Sequence, residues 1–155
     1  MDSEVSEEFE DGMALKINIK PGEKIVVNGA VITIAEGGSA LILQNHAVFL
    51  RGKDIMQQED ATTPARKIYF YLMLMYLDAD SQEMYYGTFM EYMNDLMKAT
   101  TLRDVADSLM IIFRHVQRGD FYKALKVCKA LVDFENELMR SPQTSTEQGA
   151  AAPAR

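Results

Sequence analysis

Residues 68–77, with the sequence IYFYLMLMYL, form an apolar run without charge, glycine or proline. Leucine, methionine and aromatic side chains in such a run favour a helix. Thr63 and Pro64, just upstream, are residue types preferred at an N-cap and at the first helical position, so we predict a helix over residues 64–77. Because this helix is apolar on every side, it has to be covered on every side, as the centre of a helical core or of an interface.

Upstream of this helix the apolar residues recur with a period of two. Residues 13–20 alternate between apolar and polar side chains, which is typical of a half-buried strand. Asn28 and Gly29 are the preferred pair for the tight turn of a β-hairpin. We predict a compact antiparallel β module over residues 13–56, with five short strands at 13–20, 24–27, 30–35, 40–44 and 47–51.

Downstream, three further stretches have apolar residues at helical spacing. The second helix is predicted over residues 81–98, the third opens at Thr101, and Asp120 caps the fourth. These stretches give a bundle of about four helices over residues 63–139. The predicted fold class is therefore α+β, with a small N-terminal antiparallel β module followed by a C-terminal helical bundle.

The net charge of −7 is unevenly distributed along the chain. Residues 1–12 contain six acidic and no basic residues, so the remainder carries only −1, and residues 13–58 contain five basic residues against three acidic ones. The acidic segment 1–12 and the tail at 140–155, which is rich in Ser, Thr, Gln, Ala and Pro, offer little to bury. Both are predicted to be disordered.

The cysteine content and the N-terminal sequence indicate the cellular compartment of the protein. A single cysteine, Cys128, permits no internal disulfide and fits a reducing cytoplasm. The acidic N-terminus lacks the apolar segment of a signal peptide. The apolar helix at 64–77 would be about 21 Å long, whereas a membrane span needs roughly 20 apolar residues. We expect a cytoplasmic protein that does not engage a membrane.

Signatures of catalysis and of metal binding are missing from the sequence. It contains no phosphate-binding P-loop, no Gly-x-Ser-x-Gly and no His/Cys cluster at metal-ligand spacing. We predict no catalytic residue, no metal and no cofactor, and hence a protein that is not an enzyme.

Basic residues are more informative, because Lys and Arg side chains supply most of the affinity of proteins for nucleic acid. One pair closes the β module and another opens the first helix, with a short polar linker between them. The interpretation as ordinary solvating charge stays open. As nucleic-acid-contact residues we predict, from charge alone, Arg51, Lys53, Arg66 and Lys67 as one patch, and Lys16, Lys20 and Lys24 as a second group.

A polar stripe follows one side of the fourth helix. At 100° per residue, Tyr122, Lys126 and Lys129 lie within about 60° of one another. A solvated helix face is one interpretation of this stripe. A surface that binds a protein partner is the other.

Four stretches of the chain together resemble the flagellar FlbT family of small bacterial regulators: residues 13–33, 49–57, 63–77 and 119–136. The resemblance implies a post-transcriptional regulator that associates with the 5′ untranslated leader of flagellin messenger RNA and represses its translation or promotes its degradation. It also implies a functional link with a small partner, FlaF. No motif of RNA-binding residues comes with the resemblance, so the contact residues above depend on charge.

Two functions from different classes remain. One is an RNA-binding regulator whose β module and adjacent helix hold the flagellin leader. The other is a chaperone-like adaptor that binds flagellin or FlaF through apolar helix surfaces and affects the messenger indirectly. The sequence leaves open whether the chain forms a homo-oligomer.

Overall fold

The computed structural model describes residues 15–45 and 47–151, and the α+β prediction is confirmed. The chain divides into two compact units, the β unit up to Met56 and the helical unit from Gln57. The disorder predicted for residues 1–12 and 152–155 lies outside the described residues. None of the described helices is long and apolar enough to cross a membrane.

Five strands build the described part of the β unit. Strand β1 pairs antiparallel with β4, and a second antiparallel sheet has the order β3-β2-β5. The strands lie close to the predicted positions and are somewhat shorter. They are β1 (Leu15–Ile19), β2 (Lys24–Val27), β3 (Ala30–Thr33), β4 (Ser39–Leu43) and β5 (Phe49–Arg51).

The Asn28-Gly29 turn joins β2 to β3 as predicted. Both residues have positive φ, 49° and 88°, which is the signature of the primed hairpin turn. Asn28 also fixes the segment before β5: its side-chain oxygen accepts from the Val48 N–H at 2.8 Å, and its own N–H donates to the Val48 carbonyl at 2.7 Å. The hairpin tip is therefore anchored to a segment 20 residues away.

The core of the β unit is a cluster of four isoleucines that come from both sheets. Ile17 and Ile19 face inward on β1, whereas Lys16, Asn18 and Lys20 alternate with them and are exposed. Alternation in β1 thus sends one row of side chains to the core and the other to the surface, as the sequence predicts. The other two members of the cluster are Ile25 and Ile34.

Helix α1 (Pro64–Leu77) has the predicted bounds, with Thr63 as N-cap and Pro64 in its first turn. The Thr63 hydroxyl accepts from the Arg66 N–H at 3.3 Å. The remaining helices of the described chain are α2 (Gln82–Ala99), α3 (Arg103–Gln117) and α4 (Phe121–Ala151). Helix α3 begins two residues later than predicted, because the Thr100 hydroxyl accepts from the Leu102 N–H and so caps the turn before it.

Helix α1 packs against α2 on one side and α4 on the other, and α3 packs against α4. Ile68, Leu72 and Met75 are fully buried. Within the single chain, however, α1 is not covered on every side, and coverage of its remaining side by an interface stays a prediction. Phe70, Leu74 and Leu77 are only half-buried, because they lie on the side of α1 that turns away from the fully buried residues.

A carboxylate from α4 completes the start of α1. Glu135 accepts from the Ala65 N–H at 3.1 Å and, with its other oxygen, from the Thr63 hydroxyl. Next to it, the Arg66 guanidinium donates to the Asn136 side-chain oxygen at 2.8 Å. The first turn of a helix has free N–H groups and a partial positive charge, so a carboxylate there stabilises α1 and joins it to α4.

Helix α4 continues to Ala151, beyond residue 139, where the sequence places the end of the bundle. The disorder predicted for residues 140–155 stays a prediction.

Candidate nucleic-acid interface

An exposed row of polar side chains covers the outer face of β1. Lys16, Asn18 and Lys20 all lie on this face and are exposed to solvent. The register places Ile42 of β4 opposite Lys16, and Ile42 is 58% exposed. Two ammonium groups thus flank an amide next to an open apolar side chain. We call Lys16, Asn18, Lys20 and Ile42 the β1 face.

Arg51, in contrast, is held inside the β unit. Its guanidinium donates two hydrogen bonds to the Glu23 carboxylate, both at 2.8 Å, and a third to the Asn18 carbonyl at 2.7 Å. The Arg51 and Glu23 side chains are only 15% and 16% exposed. The pKa of the Glu23 carboxyl is lowered chiefly by the hydrogen bonds from Arg51. Arg51 therefore ties β5 to β1 and to the β1–β2 turn.

Lys24 and Lys53 are brought to one end of the three-stranded sheet. Residue 51 lies opposite Ile25, so the following Gly52 lies beside Lys24. A Cβ at Gly52 would be 2.7 Å from the Lys24 carbonyl oxygen, so this close approach requires glycine. Both lysines are exposed, which leaves their ammonium groups accessible from solvent.

Arg66 and Lys67 belong to the helical unit and contact their neighbours there. Arg66 donates to Asn136, as described above, and the Lys67 ammonium lies 5.5 Å from the centre of the Tyr92 ring on α2. Such a cation–π contact fixes the side chain and leaves its charge in place. That these two residues join Arg51 and Lys53 in one patch stays a prediction.

The stripe on α4 is a compact group. The Lys126 ammonium lies 5.8 Å from the centre of the Tyr122 ring, and that ring is 5.6 Å from the ring of Tyr76 on α1. Lys129 lies about one turn further along α4 and is half-buried. Its role as a partner-binding surface stays a prediction.

Two carboxylates that organise these residues were not found from the sequence. Glu23 is 28 residues from Arg51, and Glu135 is 70 residues from Ala65. The Pro-Gly-Glu turn marks Glu23 only as a turn residue, and nothing near Glu135 in the sequence indicates a cap at that distance. Among the described residues, no group of three or more His, Cys, Asp or Glu side chains could hold a metal ion.

Fold and surface define this chain as a small α+β protein with a row of exposed lysines on its β unit. Comparison with known proteins adds the family. The model of the family described as "Flagellar protein FlbT" matches residues 15–139. The chain belongs to the FlbT family.

Relatives of similar length support this assignment. The "Flagellum biosynthesis repressor protein FlbT" of Caulobacter vibrioides strain CB 15 is 40% identical over 140 residues, which cover 90% of this chain and 99% of the relative. The "Probable flagellum biosynthesis repressor protein FlbT 1" of Bradyrhizobium diazoefficiens is 34% identical over 127 residues, covering 81% and 85% of the two chains. No solved structure matches this chain.

Proposed function

We propose that this chain regulates flagellum synthesis as a repressor, by binding the 5′ untranslated leader of flagellin messenger RNA and lowering its translation or its lifetime. The names of its relatives, flagellum biosynthesis repressors, support the regulatory role. The observation that supports RNA binding is the β1 face, where Lys16 and Lys20 are exposed beside Asn18 and Ile42.

The β1 face offers the groups that a single-stranded leader needs. Lysine ammonium groups bind phosphates without reading sequence. An amide such as that of Asn18 hydrogen-bonds base edges, and an open apolar side chain such as Ile42 packs on an unstacked base. Lys24 and Lys53 extend the positive charge within the same unit. Arg51 takes a positioning role in this proposal, since its guanidinium is engaged by Glu23.

The test is binding of a flagellin leader RNA by purified protein as a function of salt. The double variant Lys16→Glu/Lys20→Glu should weaken binding to every RNA tested. Its dependence of log Kd on log salt should flatten by about 0.7 per lost phosphate contact on a single strand. The double variant Lys98→Glu/Arg103→Glu makes the same change in net charge on the helical unit and should bind as the wild type does.

Three outcomes contradict the proposal. If the wild-type protein has no affinity for the leader RNA, the proposal of RNA binding is rejected. Equal weakening by the two double variants shows that net charge, and not the β1 face, decides affinity. Unchanged binding by Lys16→Glu/Lys20→Glu, with loss of binding by Lys53→Glu/Lys67→Glu, moves the contact to the predicted patch.

A second candidate function is an adaptor that binds FlaF or flagellin through the helical unit. The observation behind it is the set of apolar side chains left exposed on the helices, among them Met84, Met110 and Met139. Methionine adapts to varied partner surfaces, and the Tyr122, Lys126 and Lys129 stripe adds polar contacts. Calorimetric titration with purified FlaF or flagellin tests it. Lys126→Glu/Lys129→Glu should weaken that binding while leader binding stays intact.

A further inference from the structure

Strand β3 forms an open edge of its sheet. It pairs with β2 and with no other described strand, and all four of its residues are exposed, with Val31 at 67% and Ile32 at 37%. Edges of this kind are usually protected by a charge, a proline or a bulge. Residues 28–35 contain neither a charge nor a proline, and the β2–β3 register runs without a bulge.

The direction of the backbone groups on β3 follows from its neighbour Ile34. Ile34 donates to the Glu23 carbonyl at 3.0 Å and accepts from the Gly22 N–H at 2.8 Å, so both its groups point towards β2. Successive residues of a strand alternate in this direction. The N–H and C=O of Ile32 therefore point towards β2, while those of Val31 and Thr33 point outward. No described turn or loop bonds to these four outward groups.

We infer that a second copy of this chain adds to this edge, so that the two β3 strands pair antiparallel about a two-fold axis at Ile32. In that register Val31 lies opposite Thr33 of the second copy, and Thr33 lies opposite Val31 of the second copy. Both pairs are of the hydrogen-bonded type, so the four outward groups of each strand are satisfied together.

Side chains agree with the same register. The two Ile32 residues lie directly opposite each other in a pair without hydrogen bonds, where side chains approach most closely. Ile32 shares its sheet face with Ile25 and Ile34 of the buried cluster. Pairing therefore covers Ile32, an exposed side chain on the same sheet face as two buried isoleucines.

The charge of the chain indicates which partner can add to the β3 edge, and the area buried there indicates how strongly it binds. Each chain carries −7, so copies repel except where they meet over a neutral segment, and residues 28–35 are neutral. The absence of a cation on β3 also makes this edge unsuited to a phosphate backbone. Three paired residues on each strand bury less than the roughly 1,200 Å² of a stable interface, so we expect a reversible dimer with a Kd of about micromolar or weaker.

The experiment is sedimentation velocity of the full chain over a wide range of concentration, combined with amide exchange. Wild-type protein should shift from monomer to dimer as the concentration rises. The amides of Val31 and Thr33 should gain protection in parallel, whereas the Ile32 amide, which bonds within the sheet, is protected at every concentration.

Two variants interrupt the edge without touching the β2 ladder. Val31→Lys places an ammonium on each strand at diagonal positions of the same face, and Val31→Pro removes an outward N–H at a position where an edge strand tolerates proline. Each should weaken dimerisation at least about tenfold while the chain stays folded. Met84→Lys is the control, because Met84 is 68% exposed on α2 and plays no part in the pairing.

The inference is overturned if wild-type protein stays monomeric up to its solubility limit. It is also overturned if the Val31 variants dimerise as the wild type does, or if Met84→Lys has an equal effect. Binding of an unrelated extended peptide by a monomer, with protection at Val31 and Thr33, would assign the edge to a different partner and likewise reject the dimer.

Discussion

The two units of this chain are stabilised in different ways. Of the buried apolar residues in the described part of the chain, six lie in the β unit and seventeen in the helical unit. The β unit combines its isoleucine cluster with an ion pair between Arg51 and Glu23 that joins three segments. The helical unit has a large apolar core and uses Glu135 only to complete the end of a helix.

This difference shows how a small unit is ordered while the outer face of β1 stays exposed. Fewer than 40 residues in short strands bury too little apolar area to be stable on that basis alone. A half-buried ion pair and an anchored turn add order without occupying the outer face of β1. The helical unit depends instead on apolar contacts, so we expect its stability to respond most to changes in its core.

The largest expected effect is that of Leu72→Asp. Leu72 is fully buried in α1, and a buried charge without a partner costs about 3–5 kcal/mol or more. The helical unit should unfold, which circular dichroism would detect as loss of most of the helical signal. Leu74→Asp changes the same residue type on the half-buried side of α1 and should leave the helices folded. Equal damage by both variants would show that the two sides of α1 are equally covered.

The next effect is that of Ile25→Ala, which separates the two units. Ile25 is fully buried in the isoleucine cluster, and such a truncation costs about 2–5 kcal/mol. Isoleucine methyl NMR should show that Ile17 and Ile34 lose their dispersed signals, while Ile68 and Ile112 keep theirs. Ile42→Ala, at an exposed position, is the control. Simultaneous loss of all four signals would show that the units unfold as one.

A smaller effect is expected for Glu135→Ala. The variant removes the acceptor of the Ala65 N–H and of the Thr63 hydroxyl, which should lower the free energy of unfolding by about 1–3 kcal/mol. Urea denaturation, monitored by the helical circular dichroism signal, measures this loss of free energy. Glu137→Ala, which breaks only an exposed contact with Arg140, should stay within about 0.5 kcal/mol of the wild type. Similar losses in the two variants would argue against the cap.

The smallest effect concerns pH and the β unit. The pKa of Glu23 is lowered by its hydrogen bonds from Arg51, so the carboxylate stabilises the folded state above its unfolded pKa. This contribution is lost as the pH falls through the lower, folded pKa. The melting temperature of the β unit, followed by its methyl signals, should drop on acidification. Glu23→Gln should be less stable at neutral pH and should lack this part of the acid dependence. An unchanged acid profile would contradict the role of the ion pair.

Local signals explain what the sequence predicted well. Thr63 and Pro64 define the start of α1 by their own chemistry, and Asn28-Gly29 defines a turn within two residues. Lys16, Asn18 and Lys20 of the β1 face follow from alternation alone, whereas the position of Ile42 opposite Lys16 requires the strand register. Helix α4 extends past residue 139, where the sequence places the end of the bundle, and composition alone does not define where such a helix ends.

Contacts between residues far apart in the sequence explain the features that the sequence did not predict. The sequence marks Arg51 as a free cation, since nothing local indicates that Glu23 lies beside it in the fold. The half-buried side of α1 also depends on where neighbouring helices lie, and periodicity carries no such information in a run that is apolar throughout. The edge geometry of β3 required the strand order, which the pattern of apolar residues leaves undetermined.

The cap of α1 by Glu135 has a consequence for synthesis on the ribosome. Glu135 follows Ala65 by 70 residues, so α1 emerges long before the carboxylate that completes its first turn and before the α4 surface that covers it. During this interval α1 has only α2 to pack against, and its other apolar side is exposed to solvent and to chaperones. We expect the helical unit to complete its folding at the end of translation, and a chain terminated before residue 135 to be degraded rather than accumulate.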